Sequence, residues 1–162
     1  MPTRNRGKHP SDNKLFSEKW HPIFTEAIDD YSFLLSRGYA MNSILQIVGF
    51  RYKLNKRQQK AILRVAAGEH SIQLRKSKEL QPSHLVNNTV SIDGFNLLIL
   101  LESALSGAFI FQGRDGTFRD IAGVHGTYKR VHQTESAMIL VGDILKKLET
   151  DLVVWYLSLI HI

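Results

Sequence analysis

Cysteine is absent from the 162 residues of this chain, and proline occurs only four times. Without cysteine there can be no disulfide bond, no thiolate metal site and no cysteine nucleophile. No stretch approaches the ~18 consecutive apolar residues that a membrane-spanning helix needs. The first residues, MPTRNRGKHPSDNK, also lack the apolar segment of a signal peptide. We therefore expect a cytoplasmic protein that has no membrane-embedded part.

The positive charge of the chain is concentrated in its first half. The formal net charge is +6, but residues 1–90 carry 15 Lys and Arg against 7 Asp and Glu, a net charge of +8. Residues 91–162 carry 6 against 8, a net charge of −2. This asymmetry favours a first half that approaches a polyanion and a second half with another role. A basic tail on an ordinary globular protein explains the charge equally well.

The first half shows the spacing of short helices. Residues 1–18 are polar and without period, which predicts a flexible basic tail. Apolar residues then recur at intervals of three and four in three segments, which end at Gly38, Gly49 and Gly68. Asn55 and Gln58 have the spacing of a capping box at the start of the third helix. The pattern predicts a three-helix, helix-turn-helix-like module over residues 19–70.

The second half predicts an α/β architecture. After a polar linker at 71–87, the order is strand, helix, hairpin, helix and strand, which is typical of an α/β layer. Asn96 and Thr134 are the predicted caps of the two helices. We interpret residues 88–157 as a partial α/β domain whose natural chain continues further. The final residues SLIHI break the preceding pattern, so 158–162 are interpreted as a non-native tail.

The third predicted helix carries a basic face. Lys56, Lys60 and Arg64 recur every four residues and so share one face, and no acid occurs between residues 51 and 68. A helix that follows a short turn and carries such a face is how helix-turn-helix proteins meet phosphates. The alternative is a solvated surface of the bundle. The predicted nucleic-acid-binding residues are Arg51, Lys53, Lys56, Arg57, Lys60 and Arg64.

A second candidate site lies at the end of the first predicted strand, in the sequence IDGFN. Asp93 ends the strand and Asn96 opens the next helix, where α/β sheets collect ligands. Further acids follow at Glu102, Asp115 and Asp120. Carboxylates without thiols suit Mg²⁺ or Mn²⁺. The alternatives are an Asx turn at Asp93, a solvated Glu102 and a structural role for His125.

Four segments carry a resemblance to a known family: YSFLLSRGY, LQIVGFRYKLNKRQQKAILR, IDGFNLLILLESALSG and RDGTFRDIAGVHGTY. Together they resemble the domain of unknown function 434 family of prokaryotic proteins, over residues 16–157. IDGFN is similar to the first-strand motif of PIN-type and NYN-type nucleases. That resemblance implies that Asp93 binds a divalent metal and that Asn96 helps to set the site. Metal roles for Asp115 and Asp120, and a catalytic role for Asp120, are our own inference.

Three functions are compatible with these features. The first hypothesis is part of a PIN-like, Mg²⁺- or Mn²⁺-dependent RNA-processing nuclease with a basic helical module, for which RNA is a better partner than DNA. The second is a nucleic-acid-binding or regulatory protein without catalysis. The third is an interaction scaffold. An incomplete sheet also offers an edge through which copies of the chain would associate.

Overall fold

A computed structural model describes residues 5–123 and 128–157, and His125 and the predicted tail at 158–162 lie outside them. The described residues form two compact units, and each unit consists of separate segments of the chain. The helical unit contains His9–Glu79 and Ile110–Ile121. The α/β unit contains the described residues of Met1–Lys8, Leu80–Phe109 and Ala122–Ile162. The predicted mixed α/β class, with N-terminal helices followed by an α/β region, is confirmed.

The helical unit is a small bundle. Its helices are α1 (Asp12–Leu15), α2 (His21–Ser36), α3 (Met41–Arg51), α4 (Lys56–Val65) and α5 (Glu69–Lys76), with a 3-10 turn at Glu18–Trp20. Gly38 adopts a φ of +82°, which lets the chain turn sharply after α2. The core of the bundle consists of Ala27, Tyr31, Ile44, Val48, Leu54 and Ile62.

The predicted capping box at the start of α4 is confirmed. The Asn55 side chain accepts hydrogen bonds from the backbone N–H groups of Arg57 and Gln58, both at 3.0 Å. The Gln58 side chain accepts the Asn55 backbone N–H at 3.1 Å. The helix ends at Val65, before the predicted stop at Gly68, because Ala66 turns to an extended conformation. These bonds fix the point at which the basic helix leaves its turn.

The α/β unit contains a pair of parallel strands and two helices. Strand β1 (Thr89–Asp93) pairs with β4 (Leu152–Tyr156), with Thr89 opposite Leu152 and Asp93 opposite Tyr156. Helices α6 (Gly94–Leu105) and α7 (Thr134–Lys147) lie between them in sequence, and a 3-10 turn at Pro82–Leu85 precedes β1. Helix α7 exposes three large apolar side chains, Met138, Ile139 and Ile144.

The predicted association between copies of the chain stays a prediction.

The hairpin belongs to the helical unit, whereas its place in the sequence assigned it to the α/β domain. Strands β2 (Phe111–Gln112) and β3 (Phe118–Arg119) form an antiparallel pair. The Phe111 ring meets Phe16 edge to face at 5.0 Å between centroids, and the Arg114 N–H donates to the Val65 carbonyl at 2.9 Å. These contacts are distant in sequence, which is why the order of elements gave no sign of them.

Two other boundaries differ from their predictions. Within the predicted flexible tail, Arg6, Asp12 and Phe16 are buried. Burial of the two charged side chains is tolerated because each forms an ion pair. Phe16 is buried because it packs against other aromatic rings. The predicted linker also contains most of α5, which begins at Glu69.

Candidate nucleic-acid interface

Three of the six predicted nucleic-acid-binding residues pair with acids of the helical unit, and two of them, Arg57 and Arg64, do so through hydrogen bonds. The Arg57 guanidinium forms a two-pronged pair with the buried carboxylate of Asp12, with Nη2 at 2.7 Å from Oδ2. Arg64 donates from Nε to the Asp120 carbonyl at 3.0 Å and from Nη2 to its carboxylate at 3.3 Å. Arg57 therefore serves mainly to hold α1 on α4, while the Arg64 side chain remains 45% exposed.

Lys60 lies between these two arginines on α4. Partial burial lowers the pKa of its ammonium group, and the positive charge of Arg57 lowers it further. Asp120 opposes this shift, and Arg64 adds a smaller lowering effect. Helix α4 carries four cations, and two acids, Asp12 and Asp120, form ion pairs with them among the described residues. A surface with such an excess attracts anions.

The remaining cations lie at the turn between α3 and α4. Arg51 is exposed and pairs loosely with Asp30, at 3.4 Å between Nε and Oδ2. Lys53 and Lys56 are exposed and form no ion pair within residues 5–123 and 128–157. Beside them Phe50 is 89% exposed, which is unusual for so large an apolar side chain. The turn therefore carries an exposed aromatic ring and exposed positive charges at neighbouring positions in the sequence.

Asp115 and Asp120, both predicted metal ligands, belong to the helical unit and contact arginines. The Asp115 carboxylate accepts hydrogen bonds from Arg75 and Arg119, and its side chain is 2% exposed. Asp120 is buried beside Arg64. A metal at either carboxylate would have to compete with a guanidinium, and the metal roles stay predictions. Arg75 could not be recognised from the sequence pattern, because it lies forty residues before its partner.

Asp93 and Asn96 lie together in the α/β unit, at the carboxyl end of β1. Asn96 Nδ2 donates to Asp93 Oδ2 at 2.7 Å, and both residues are exposed. The helix begins at Gly94, so Asn96 lies within its first turn and does not cap it. A Cβ on Gly94 would lie 2.9 Å from the Trp155 ring, so the glycine serves the close approach of α6 to β4.

These residues provide only part of a metal site. Asp93 and Asn96 offer one carboxylate and one amide oxygen. No cluster of three or more acids or histidines suited to a metal occurs in the part of the chain that the structure describes. Mg²⁺ often binds through one or two carboxylates together with water and substrate phosphates. The residues present therefore fit such an ion only when a phosphate ligand shares it.

Glu102 is completely buried, so its interpretation as a solvated residue was wrong. One carboxylate oxygen accepts the Arg6 Nε–H at 2.8 Å. The other accepts the Thr134 hydroxyl at 2.5 Å and the Tyr128 hydroxyl. Burial raises the pKa of Tyr128, and its hydrogen bond to Glu102 raises it further. The arrangement is a buried polar core, in which the carboxylate accepts hydrogen bonds from three side chains.

The structure defines a mixed α/β protein with a basic helical unit, and no helix among its described residues is long and apolar enough to cross a bilayer. Residues 23–78 match the family described as protein of unknown function (DUF434), which confirms the resemblance over that part. Residues 82–159 match a different family, described as domain of unknown function (DUF5616).

A relative with similar sequence occurs in Methanocaldococcus jannaschii. Its name is Uncharacterized protein MJ0935, and it is 33% identical over 130 residues. The match covers 80% of this chain and 62% of that protein, so the chain spans less than two thirds of its relative. No solved structure matches the chain.

Proposed function

We propose that this protein binds RNA through the surface formed by the α3–α4 turn and the exposed face of α4. We call this the α4 surface, and it consists of Phe50, Arg51, Lys53, Lys56, Lys60 and Arg64. The observation that carries the proposal is its uncompensated charge. Within this surface Arg51 pairs loosely with Asp30 and Arg64 pairs with Asp120, while Lys53 and Lys56 remain exposed without an ion pair among the described residues.

The α4 surface suits a flexible single strand better than a duplex. Proteins that bind single strands combine a basic groove with aromatic rings on which bases stack. Phe50 offers such a ring beside Arg51 and near Lys53 in the turn. Lysines provide phosphate contacts without reading sequence. The proposal is therefore for binding of single-stranded RNA with little sequence preference.

Salt dependence of RNA binding tests the α4 surface. A labelled single-stranded oligoribonucleotide would be titrated with the full chain at increasing salt, with anisotropy as the readout. The slope of log K against log salt should be about −0.7 for each phosphate contact. Lys53→Gln with Lys56→Gln should make the slope shallower by about 1.4. Lys146→Gln with Lys147→Gln, the same charge change at the exposed end of α7, is the matched control.

Two outcomes would overturn the proposal. One is that the chain binds no RNA even at low salt. The other is that the two double variants change the slope equally, because the effect would then follow net charge and not the α4 surface.

A second candidate function is Mg²⁺- or Mn²⁺-dependent RNA cleavage by a PIN-like α/β unit. The observation that favours it is the exposed Asp93 at the carboxyl end of a parallel strand, hydrogen-bonded by Asn96. Asp93 and Asn96 would hold the ion, which would supply a polarised water at the phosphodiester. The proposal of RNA binding does not depend on this chemistry.

A further inference from the structure

We propose that a cavity in the helical unit, between α5 and the hairpin turn, is a binding site for a phosphate group. We call it the hairpin cavity. Its volume is about 480 Å³, which is ample for a phosphate and part of the molecule that carries it. One wall comes from α5 and the residues just after it, through Arg75, Lys76 and Glu79, and the other from residues 114–117 of the turn. This site is separate from the α4 surface, and the inference does not rest on the proposed RNA binding.

The hairpin cavity has an excess of positive charge. Three cations line it, Arg75, Lys76 and Arg114, against the carboxylates of Asp115 and Glu79. Asp115 is directed to internal partners, since it also accepts the Thr117 N–H at 3.2 Å and the Thr117 hydroxyl at 2.7 Å. With Arg75 and Arg119 these make four donors for one carboxylate. Asp115 therefore supports the arginines, and Arg75 and Arg119 together offset its negative charge.

Asp115 holds Arg75 in place and still leaves it accessible. The Arg75 side chain is 50% exposed, although its Nη1 donates to the buried carboxylate. A guanidinium has five N–H donors, so an arginine fixed by one carboxylate can present other donors to a ligand. Held side chains lose less entropy when they bind, which favours affinity.

Arginines are crowded around this carboxylate. Arg119 also donates to Asp115 at 2.8 Å, and burial lowers the pKa of Arg119, as do the charges of Arg75 and Arg64. Arg114 lies on the opposite wall, with its Nε 3.9 Å from Asp29, which is too far for a hydrogen bond. A bound anion would reduce the electrostatic repulsion among these arginines.

Phosphate is the anion that this geometry suits best. Arginine pairs with phosphate oxygens through two parallel N–H donors, and lysine adds a point charge. Gly116 has a φ of +80°, and apart from its two chain neighbours no atom of the described residues lies within 4 Å of the place where a side chain would begin, which keeps the turn open. The phosphate could belong to a free phosphomonoester such as a nucleotide, or to the 5′ end of an RNA strand.

Binding measurements on the full chain test the inference. Titrations monitored by calorimetry would use inorganic phosphate, uridine monophosphate, and one oligoribonucleotide with either a 5′-phosphate or a 5′-hydroxyl. We expect saturable phosphate binding that Lys76→Gln and Arg114→Gln each weaken by about tenfold. Lys78→Gln is the matched control, because Lys78 is exposed and does not line the cavity. Both changes are at exposed or half-exposed side chains, so the variants should fold.

The ligands distinguish the two sources of phosphate. Tighter binding of uridine monophosphate than of either strand indicates a free phosphomonoester. Tighter binding of the 5′-phosphorylated strand than of its 5′-hydroxyl counterpart indicates a strand end. The inference is overturned if inorganic phosphate shows no saturable binding, or if Lys76→Gln and Lys78→Gln have equal effects.

Discussion

Arg6 and Glu102, which are 96 residues apart in the sequence, form a buried ion pair in the α/β unit. Arg6 Nε lies 2.8 Å from Glu102 Oε2, and the two side chains are 9% and 0% exposed. The pair is supported on both sides. Arg6 Nη2 donates to the Lys129 carbonyl at 2.6 Å, and Glu102 accepts hydroxyl hydrogen bonds from Thr134 and Tyr128. Buried charges are tolerated only when they are paired in this way. A residue near the N-terminus thereby becomes part of the α/β unit's interior.

Breaking this pair should destabilise the protein strongly. Glu102→Gln leaves the Arg6 charge buried without its partner, and we expect the free energy of unfolding in urea to fall by about 3–5 kcal/mol. Arg6→Met should have a comparable effect, and the double variant should cost less than the sum. Glu135→Gln, which breaks the exposed pair with Arg130, is the control and should cost at most about 1 kcal/mol. If the losses of unfolding free energy in the two single variants simply add in the double variant, Arg6 and Glu102 are not energetically coupled and the prediction is wrong.

Asp12 should make stability depend on pH in the acid range. Burial raises the pKa of Asp12, but hydrogen bonds from Arg57 and the His9 backbone outweigh this and bring it below its ordinary 3.8. Because the folded-state pKa is the lower one, this stabilisation is present above about pH 4 and is lost as pH falls through the folded-state value. Asp12→Asn should therefore flatten the fall in unfolding free energy between about pH 5 and pH 3. Arg57→Met should flatten it too, and an unchanged slope in Asp12→Asn would refute the prediction.

Phe50 should contribute to single-strand binding through stacking. Loss of one stacked base weakens binding by about 1–3 kcal/mol, so Phe50→Ala should raise the Kd for single-stranded RNA roughly 5- to 150-fold. The salt slope should not change, since no charge is removed. Phe33→Ala is the control, because Phe33 is an exposed phenylalanine of α2 away from the α3–α4 turn in sequence. Equal losses in both variants would exclude a specific role for Phe50.

Substitution of Asp93 tests whether this residue binds a metal or only stabilises a turn. In the full chain, Asp93→Asn should abolish Mn²⁺-dependent RNA cleavage and weaken Mn²⁺ binding measured by electron paramagnetic resonance. The thermal unfolding midpoint should not change, since asparagine serves turns nearly as well as aspartate. Asp143→Asn, at an exposed position of α7, is the control. If Asp93→Asn retains both binding and cleavage, Asp93 serves only the turn.

Local features of the fold could be predicted from the sequence. The capping box of Asn55 and Gln58 follows from a fixed spacing of three residues, and Gly38 marks a left-handed turn. Both depend on neighbours within one helical turn. The parallel strands β1 and β4 were also predictable as elements, β1 from its β-branched residues and β4 because it is a short apolar run.

The partners of charged residues could not be predicted. The basic face of α4 is visible in the sequence, but the aspartates that neutralise Arg57 and Arg64 lie 45 and 56 residues away. Glu102 is a second example. Its position on the helix suggested a solvated residue, but it lies at the centre of a buried network because its partner Arg6 is 96 residues away in the sequence. Spacing reveals which residues share a face of a helix but not what packs against that face.

The interleaving of the two units has a consequence for synthesis on the ribosome. Domains usually fold in order as they emerge, beginning at the N-terminus. Here α2 to α4 emerge early, but the hairpin that completes their unit emerges only after β1 and α6 of the other unit. Strand β1 in turn waits for β4, almost sixty residues later. Both units must therefore remain unfinished together for much of translation, and a gene fragment covering residues 19–70 alone would encode helices without α1 or the hairpin.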